Sequence, residues 1–169
     1  PVATSVSNDT NALCPLLVQA LPVTVSLQIL HLSYNHIECG TISDEIGSCL
    51  STNKSLREIY LDYNSIGRSG AASIARGVKF NDTLRVLHLN NNSIGDEGTK
   101  AIADALKKNI SLNHIGLGRN GIGQDGFMAL RQVLEHSNNY ALRFIHLDGN
   151  HGHLSVTNDQ GPQQPNHGQ

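Results

Sequence analysis

Histidine has the widest chemical scope of the residues in this chain, because imidazole can bind a metal or transfer a proton. The 169-residue chain has nine histidines, and four are far apart in sequence: His31, His88, His114 and His146. His151 and His153 form a loose pair near the end. Tetrahedral zinc needs its ligand atoms within about 2.0–2.3 Å, whereas the repeat described below puts His31 and His88 on strands roughly 10 Å apart. We therefore predict no metal site.

Other patterns that could act on a substrate are also structural. Gly-x-x-Gly pairs resemble phosphate loops, but they recur once per repeat and lack the Lys-Ser/Thr ending. Cys14, Cys39 and Cys49 make no C-x-x-C motif and no paired framework, which is typical of a reducing compartment. No nucleophile elbow or paired-carboxylate motif occurs. The sequence predicts a protein that is not an enzyme, has no catalytic residues and needs no cofactor.

A repeated asparagine defines the elements that would position any site. It recurs at intervals of 29, 28, 28 and 30 residues, at Asn35, Asn64, Asn92, Asn120 and Asn150. Apolar residues stand eight, five and three positions before each one. They are Leu27, Leu56, Leu84, Leu112 and Leu142; Leu30, Ile59, Leu87, Ile115 and Ile145; and Leu32, Leu61, Leu89, Leu117 and Leu147. A period of about 28 predicts a solenoid of stacked units.

Each unit is predicted to contain a strand, a turn, a helix and a return. Residues two apart in a strand share a face, so those five and three before the Asn point inward. The Asn amide can bond backbone groups of the turn, which predicts an asparagine ladder along the stack. An apolar residue and then two glycines follow. We expect positive φ at the first glycine (Gly67, Gly95, Gly123) and close packing at the second (Gly70, Gly98, Gly126).

The helix is predicted from apolar residues at helical spacing, such as Ala101, Ile102, Ala105 and Leu106, and then Ala129, Leu130, Val133 and Leu134. Asp96 or Glu97 suits the positive end of the helix dipole. A second column predicts left-handed helix ends at Asn53, Asn81, Asn109 and Asn139. Because strands pack more closely than helices, the stack must curve. The predicted fold is an α/β horseshoe with parallel strands on the concave face and helices on the convex face.

The stretch 81–109, NDTLRVLHLNNNSIGDEGTKAIADALKKN, resembles the ribonuclease-inhibitor-like class of leucine-rich repeat proteins and is most similar to the arrays of NOD-like receptors. The resemblance implies a leucine-rich repeat solenoid that binds a protein partner, within a larger NOD-like receptor or a cytosolic scaffold. Ran GTPase-activating proteins share the repeat. That leaves GTPase activation as an alternative, with Arg119 the only Arg directly before a motif Asn. A non-functional truncated fragment is the third possibility.

The period divides the chain into three parts. Residues 1–12 are expected to be the remnant of a preceding repeat or disordered. Residues 13–150 form the repeat domain, with about five strands and four full crossovers, and it begins with a helix that no strand precedes. Residues 151–169 are predicted to be a disordered tail. Neither end shows the polar cap that terminal repeats need, so we expect a fragment of a longer chain or self-association through uncapped ends.

The strand residues that point away from the core form the candidate contact surface. They stand six, four, two and one positions before each Asn, where the frame gives them no core role. Tyr and Arg are enriched at binding hot spots. The predicted partner-binding residues are His31, Tyr34, Glu58, Tyr60, Asp62, Tyr63, His88, Asn90, His114, Arg119, Phe144, His146 and Asp148.

Composition and net charge limit the class of partner and the cellular compartment that we expect. A net charge of −2 without a basic patch argues against nucleic acid as a partner. No apolar run reaches membrane length and no signal peptide is visible, so we expect a cytoplasmic protein without membrane insertion. Three of the five N-x-[ST] sequons, at Asn53, Asn81 and Asn109, coincide with the second asparagine column and are predicted to be structural.

Overall fold

The computed structural model describes residues 2–5, 26–38, 40–136 and 139–152. In these residues one parallel sheet runs in chain order, and one helix separates each pair of strands from β2 onward. The strands are β1 (Val2–Ser5), β2 (Leu27–His31), β3 (Glu58–Tyr60), β4 (Val86–His88), β5 (His114–Gly116) and β6 (Phe144–His146). The helices are α1 (Thr41–Thr52), α2 (Gly67–Phe80), α3 (Gly95–Leu106) and α4 (Gln124–His136). The predicted α/β solenoid is confirmed.

Neighbouring strands pair in the register of the repeat. Ile59 lies opposite Leu87, and Leu87 lies opposite Ile115. The residues five positions before the asparagines therefore form one continuous row across the sheet. Each unit is named below by its motif asparagine. The Asn92 unit, for example, consists of β4, the turn after it and α3.

The strand β1 is not predicted by the repeat frame. It pairs in parallel with β2, with Thr4 opposite Leu30. The expectation that no strand precedes the first helix was therefore wrong. An extended segment can pair with an edge strand through backbone groups alone, so β1 needs none of the motif leucines. The helix expected near residues 13–21 and the tail from residue 153 lie outside the described residues.

The predicted apolar rows form the core. The leucines three positions before their asparagines, Leu61, Leu89 and Leu117, are completely buried, as are Ile66 and Ile94 just after the asparagines. Helix residues close the other side of the core and are at most 3% exposed: Ile74, Val78, Ile102 and Leu106. Burying one such side chain contributes about 1.5–3 kcal/mol. The cohesion of the stack is thus spread over all its inner units.

The motif asparagines join neighbouring units. Asn64 Oδ1 accepts hydrogen bonds from the backbone N–H groups of Asn35 and Ile37, both at 2.9 Å. Its Nδ2 donates to the carbonyls of Leu32 at 2.9 Å and Leu61 at 2.8 Å. Related bonds recur, one unit further each time, at Asn92, Asn120 and Asn150. Each amide therefore bonds the turn of the preceding unit to its own strand.

The second asparagine column forms another ladder where the helices end. Asn81 Oδ1 accepts from the N–H groups of Thr83 at 2.9 Å and Leu84 at 2.6 Å. Its Nδ2 donates to the carbonyls of Leu50 at 2.6 Å and Asn53 at 3.2 Å. Asn53 and Asn81 are extended, with φ of −67° and −79°. The left-handed conformation expected for them was wrong, because the side-chain amide bonds the groups at the helix end and no unusual backbone conformation is needed.

This ladder involves the sequon side chains. Asn81 and Asn109 are only 3% and 2% exposed. Asn109 Nδ2 donates to the carbonyls of Val78 at 2.6 Å and Asn81 at 2.8 Å. Glycosylation would attach at these nitrogens, so the folded chain does not present them for modification.

The two glycine positions have different roles. Gly67 and Gly95 have φ of +61° and +62°, as expected. In the Asn120 unit the positive φ of +67° is at Gly121, so the expectation for Gly123 was wrong. In that unit the left-handed residue directly follows the motif Asn, as it also does at His36 and Ser93.

The carboxylate of Asp96 caps the next helix along the chain. It lies in the first turn of α3, but its Oδ1 accepts from the N–H groups of Gly123 at 2.7 Å and Gly126 at 2.9 Å. A Cβ on Gly126 would lie 2.7 Å from that oxygen. The prediction paired Asp96 with the dipole of its own helix, whereas its hydrogen bonds are made to the start of α4.

The helices α1 and α2 approach each other through backbone atoms. A Cβ on Gly47 would overlap the carbonyl of Ser73, and a Cβ on Gly77 would overlap the carbonyl of Gly47. Both glycines are buried on facing sides of the two helices. This seam therefore requires the absence of side chains at these two positions.

Candidate functional site

The sheet has one face against the helices and one face turned away from them, here called the concave face. On β3 and β4 the central residue is buried and its two neighbours are half-buried. The half-buried residues are those six and four positions before each Asn, as the frame predicts. They form the floor of the candidate surface.

Five rings follow one another across the concave face, and we call them the aromatic row: His31, Tyr60, His88, His114 and Phe144. His31 and Tyr60 stack with centroids 4.4 Å apart and 10° between planes. Tilted contacts follow at 4.9 Å from Tyr60 to His88, 5.5 Å from His88 to His114 and 5.3 Å from His114 to Phe144. The row crosses from the position four before the Asn to the position six before it at β5.

The row changes position because the Asn120 unit has Gly116 where the others have a ring. The side chain of Asn90 fills that space, since a Cβ on Gly116 would lie 2.7 Å from Asn90 Nδ2. Asn90 Nδ2 and N donate to Asp62 Oδ1 at 2.8 and 2.7 Å. Asn90 Oδ1 accepts from Gly118 N at 2.7 Å. Asn90, predicted as a contact residue, is thus held by bonds within the face.

Two exposed tyrosines stand beside the aromatic row, and we call them the tyrosine pair. Tyr34 and Tyr63 stack with centroids 4.3 Å apart and 9° between planes. They are 56% and 45% exposed. Their φ angles are +64° and +55°, a conformation that non-glycine residues adopt at a cost. Positive φ recurs directly before every motif asparagine, at Tyr34, Tyr63, Asn91, Arg119 and Gly149. The turn of the fold therefore imposes the positive φ at this position.

Carboxylates lie among these rings. Tyr60 Oη donates to Glu58 Oε2 at 2.7 Å, and Asp62 Oδ2 lies 3.4 Å from His88 Nδ1. Burial, then the bond to Glu58 and the charges of Glu58 and Asp62, raise the pKa of Tyr60 to about 12. Desolvation, Tyr63 and the charge of Asp62 raise the pKa of Tyr34. Both phenols are neutral and can donate hydrogen bonds at physiological pH.

The structure divides the thirteen predicted contact residues into two groups. The first group surrounds β2, β3 and β4 and contains His31, Tyr34, Glu58, Tyr60, Asp62, Tyr63, His88 and Asn90. The second group lies on β5, β6 and their turns and contains His114, Arg119, Phe144, His146 and Asp148. The ring contact between His88 and His114 connects them. The sequence-based list of contact residues missed Ser33. Its Oγ accepts a hydrogen bond from Asp62 N at 3.1 Å, and like Asp62 it stands two positions before its motif Asn.

The second group is more exposed than the first. His146 Nε2 lies 2.8 Å from Asp148 Oδ2, and both side chains are more than half exposed. Arg119 is exposed, and its aliphatic part passes over Gly149, where a Cβ would lie 2.7 Å from Arg119 Cγ. Arg119 stands two units from the tyrosine pair in the same column.

The described parts of the chain contain no group of three or more His, Cys, Asp or Glu side chains arranged to hold a metal ion. None of their helices has the length and apolar character needed to cross a lipid bilayer.

Family comparisons agree with this geometry. Two leucine-rich repeat families match: one at residues 52–75 and 80–103, the other at residues 26–49. No curated protein sequence matches the chain significantly. These matches support a leucine-rich repeat family, and the architecture described above is a leucine-rich repeat solenoid.

Solved structures share this fold. The actin-binding site 2 of leiomodin-1 is 24% identical, with a TM-score of 0.64, and the match covers 78% of each chain. The C-terminal domain of tropomodulin from Caenorhabditis elegans is 16% identical, with a TM-score of 0.61, and the match covers 72% of this chain and 73% of that one. At these identities the likeness concerns the fold alone.

Proposed function

We propose that the chain is a protein-interaction module that binds a protein partner through its concave face. Leucine-rich repeat domains are typically non-enzymatic modules of this kind. The observation that carries the proposal is the exposure of Tyr34, Tyr63 and Phe144 on a face where the fold needs no large side chain. Large, rigid rings provide contact area at a low entropic cost.

The surface is also organised before binding. Tyr60 is fixed between His31 and His88 and by its bond to Glu58. Ordering side chains in advance reduces the entropy lost on association. The proposed parent is a NOD-like receptor or a cytosolic scaffold, on the strength of the repeat resemblance.

Photo-crosslinking tests the proposal directly. Benzoylphenylalanine replaces Tyr63 in one variant and Phe80 in the control. Phe80 is 67% exposed at the end of α2, away from the sheet. We expect crosslinks to a defined protein from position 63 and not from position 80. The opposite result would show that the helix side binds the partner. Tyr63→Ala should weaken capture of the same protein without changing the melting temperature. Tyr60→Ala should also weaken capture, with a lower melting temperature because the ring packs between His31 and His88.

Two specific partners can be tested in parallel. Cosedimentation with actin filaments tests the partner named for the leiomodin-1 domain. GTP hydrolysis by a small GTPase tests the activator alternative, which depends on Arg119. Acceleration that is lost in Arg119→Ala would support it. Nothing in the contacts of Arg119, which lies against Gly149, favours it over a simple binding module.

A further inference from the structure

Nine of the described carboxylates fall into two classes according to their side-chain partners. Away from the concave face, six of them pair with Lys or Arg at 2.6–3.5 Å: Asp44, Asp82, Glu97, Asp104, Asp125 and Glu135. On the concave face, Glu58, Asp62 and Asp148 have Tyr60, His88 and His146 as partners. In the described part of the chain, no Lys or Arg nitrogen lies within 4.0 Å of these three carboxylates.

Asp62 is also close to rings with an exposed face, because it precedes Tyr63 in the chain and its charge acts on Tyr34. Tyr34 and Tyr63 stack on each other through one face each. The other faces contribute to their 56% and 45% exposure. The next residue in their column is Asn91, which is uncharged and only partly exposed. An aromatic face attracts a cation, most strongly beside a carboxylate.

The electrostatics of the first group agree with a site that attracts a cation. Burial is the largest cause of the raised pKa of both Tyr34 and Tyr60, and the charge of Asp62 adds to it, in agreement with a negative potential over these rings. The only cationic residue in the column of the tyrosine pair is Arg119, two units further along. The negative potential therefore belongs to the β2–β4 half of the concave face.

We propose that the protein partner places an arginine or lysine side chain against the tyrosine pair and beside the carboxylate of Asp62, with Glu58 adding to the negative charge of this half of the face. This inference rests on the proposed function and specifies the chemistry of the partner. An arginine fits best, because its planar group can stack on a ring while its N–H groups donate to carboxylates. An acidic segment would meet two uncompensated carboxylates and is excluded from this half of the face.

Selection from a random peptide library displayed on phage tests the chemistry without knowledge of the natural partner. The wild-type domain should enrich peptides with Arg or Lys, and their amide shift changes should map to residues 58–63. The Glu58→Gln/Asp62→Asn double variant keeps the side-chain shapes. It should bind the same peptides about thirtyfold more weakly, the size expected for loss of a charged partner. Asp125→Asn, a carboxylate paired with Lys100 on the helix side, is the matched control and should bind normally.

Asp62 accepts two bonds from Asn90, so the double variant is also checked by thermal melting. If it unfolds, Glu58→Gln alone and Tyr34→Leu/Tyr63→Leu replace it, and each should still weaken the basic peptides at least severalfold. Basic peptides that bind all these variants as well as the wild type overturn the inference. Enriched peptides that are not basic but are lost in Tyr60→Ala also overturn it, while leaving the proposed function intact. Peptides that map only to the helix side contradict both.

Discussion

The last strand and the last helix of the stack carry the same motif residues as the inner ones, but those residues are less buried. Leu61, Leu89 and Leu117 are completely buried, whereas their equivalent Leu147 is only partly buried. The helix residue Leu106 is completely buried, whereas its equivalent Leu134 is 57% exposed. Leu134 was predicted to be a core residue. It is exposed because, within the described residues, no helix packs on the far side of α4.

The difference teaches that the motif alone does not determine how much a residue stabilises the fold. An inner leucine is enclosed by the units on both sides, and one at the end by a single neighbour. Stability in such stacks is close to a sum of unit terms and nearest-neighbour interfaces. Three pairs of variants and one pH titration test this dependence on neighbouring units.

Leu89→Ala compared with Leu147→Ala should show the contrast most strongly. Truncating the buried Leu89 should lower the free energy of unfolding by about 3 kcal/mol. Leu147→Ala should lower it by about 1 kcal/mol, because water already reaches part of that side chain. Urea denaturation followed by circular dichroism measures both. Equal losses would mean that the last unit is as enclosed as the inner ones.

Asn92→Ala compared with Asn150→Ala tests the strand-end ladder. Asn92 has no exposed surface, whereas Asn150 is partly exposed. Losing the inner amide leaves buried backbone groups without partners and should cost about 1–3 kcal/mol. Water can replace the outer amide, so its loss should cost less. If the two denaturation midpoints fall equally, the ladder does not depend on burial.

Asp96→Ala compared with Glu97→Ala tests the coupling between the last two helices. Asp96 bonds the first backbone N–H groups of α4, so its removal should cost about 0.5–2 kcal/mol, as for other helix caps. Hydrogen exchange should increase in α4 more than in α3. Glu97 makes only an exposed pair with Lys100, and its removal should leave exchange unchanged. Faster exchange confined to α3 would count against the cap.

The pH dependence of an inner-unit tyrosine is confined to alkaline solution and leaves the stability at neutral pH unchanged. The pKa of Tyr60 is about 12 in the fold and near 10 when unfolded. Because the folded value is higher, the neutral phenol stabilises the fold fully below about pH 10. That contribution is lost as the pH rises through about 12. Ultraviolet absorbance should show a tyrosine that titrates near pH 12, and Glu58→Gln should bring its midpoint down. A Tyr60→Phe variant with the same late titration would refute the assignment.

The apolar rows and both asparagine columns could be predicted from the sequence, because the same residue types recur with the same structural role in every unit. Leu87 and Asn92 repeat in type and position, so one physical argument covers the whole stack. Strand alternation alone gives the outward direction of the positions six, four and two before the Asn, whereas the residue directly before the Asn faces outward because it lies in the left-handed turn.

Features that depend on a single unit could not be read in this way. The space at Gly116 and its filling by Asn90 involve side chains of two units, at a position where one unit departs from the repeat. The left-handed conformation of the residue before each motif Asn is indicated in the sequence only by Gly149, because the other four residues at that position have side chains. Asp96 bonds a helix that begins 28 residues later, and sequence spacing alone does not distinguish that contact from one with its own helix.

The seam between α1 and α2 limits how this array could be rearranged. By the repeat frame, Ala105 is the counterpart of Gly77 in the next unit. If a duplicate of the Asn92 unit were spliced in directly after the Asn35 unit, that alanine methyl would collide with the carbonyl of Gly47. Shuffling or consensus engineering of these modules would have to leave the first junction untouched, or widen it by moving α1 outward.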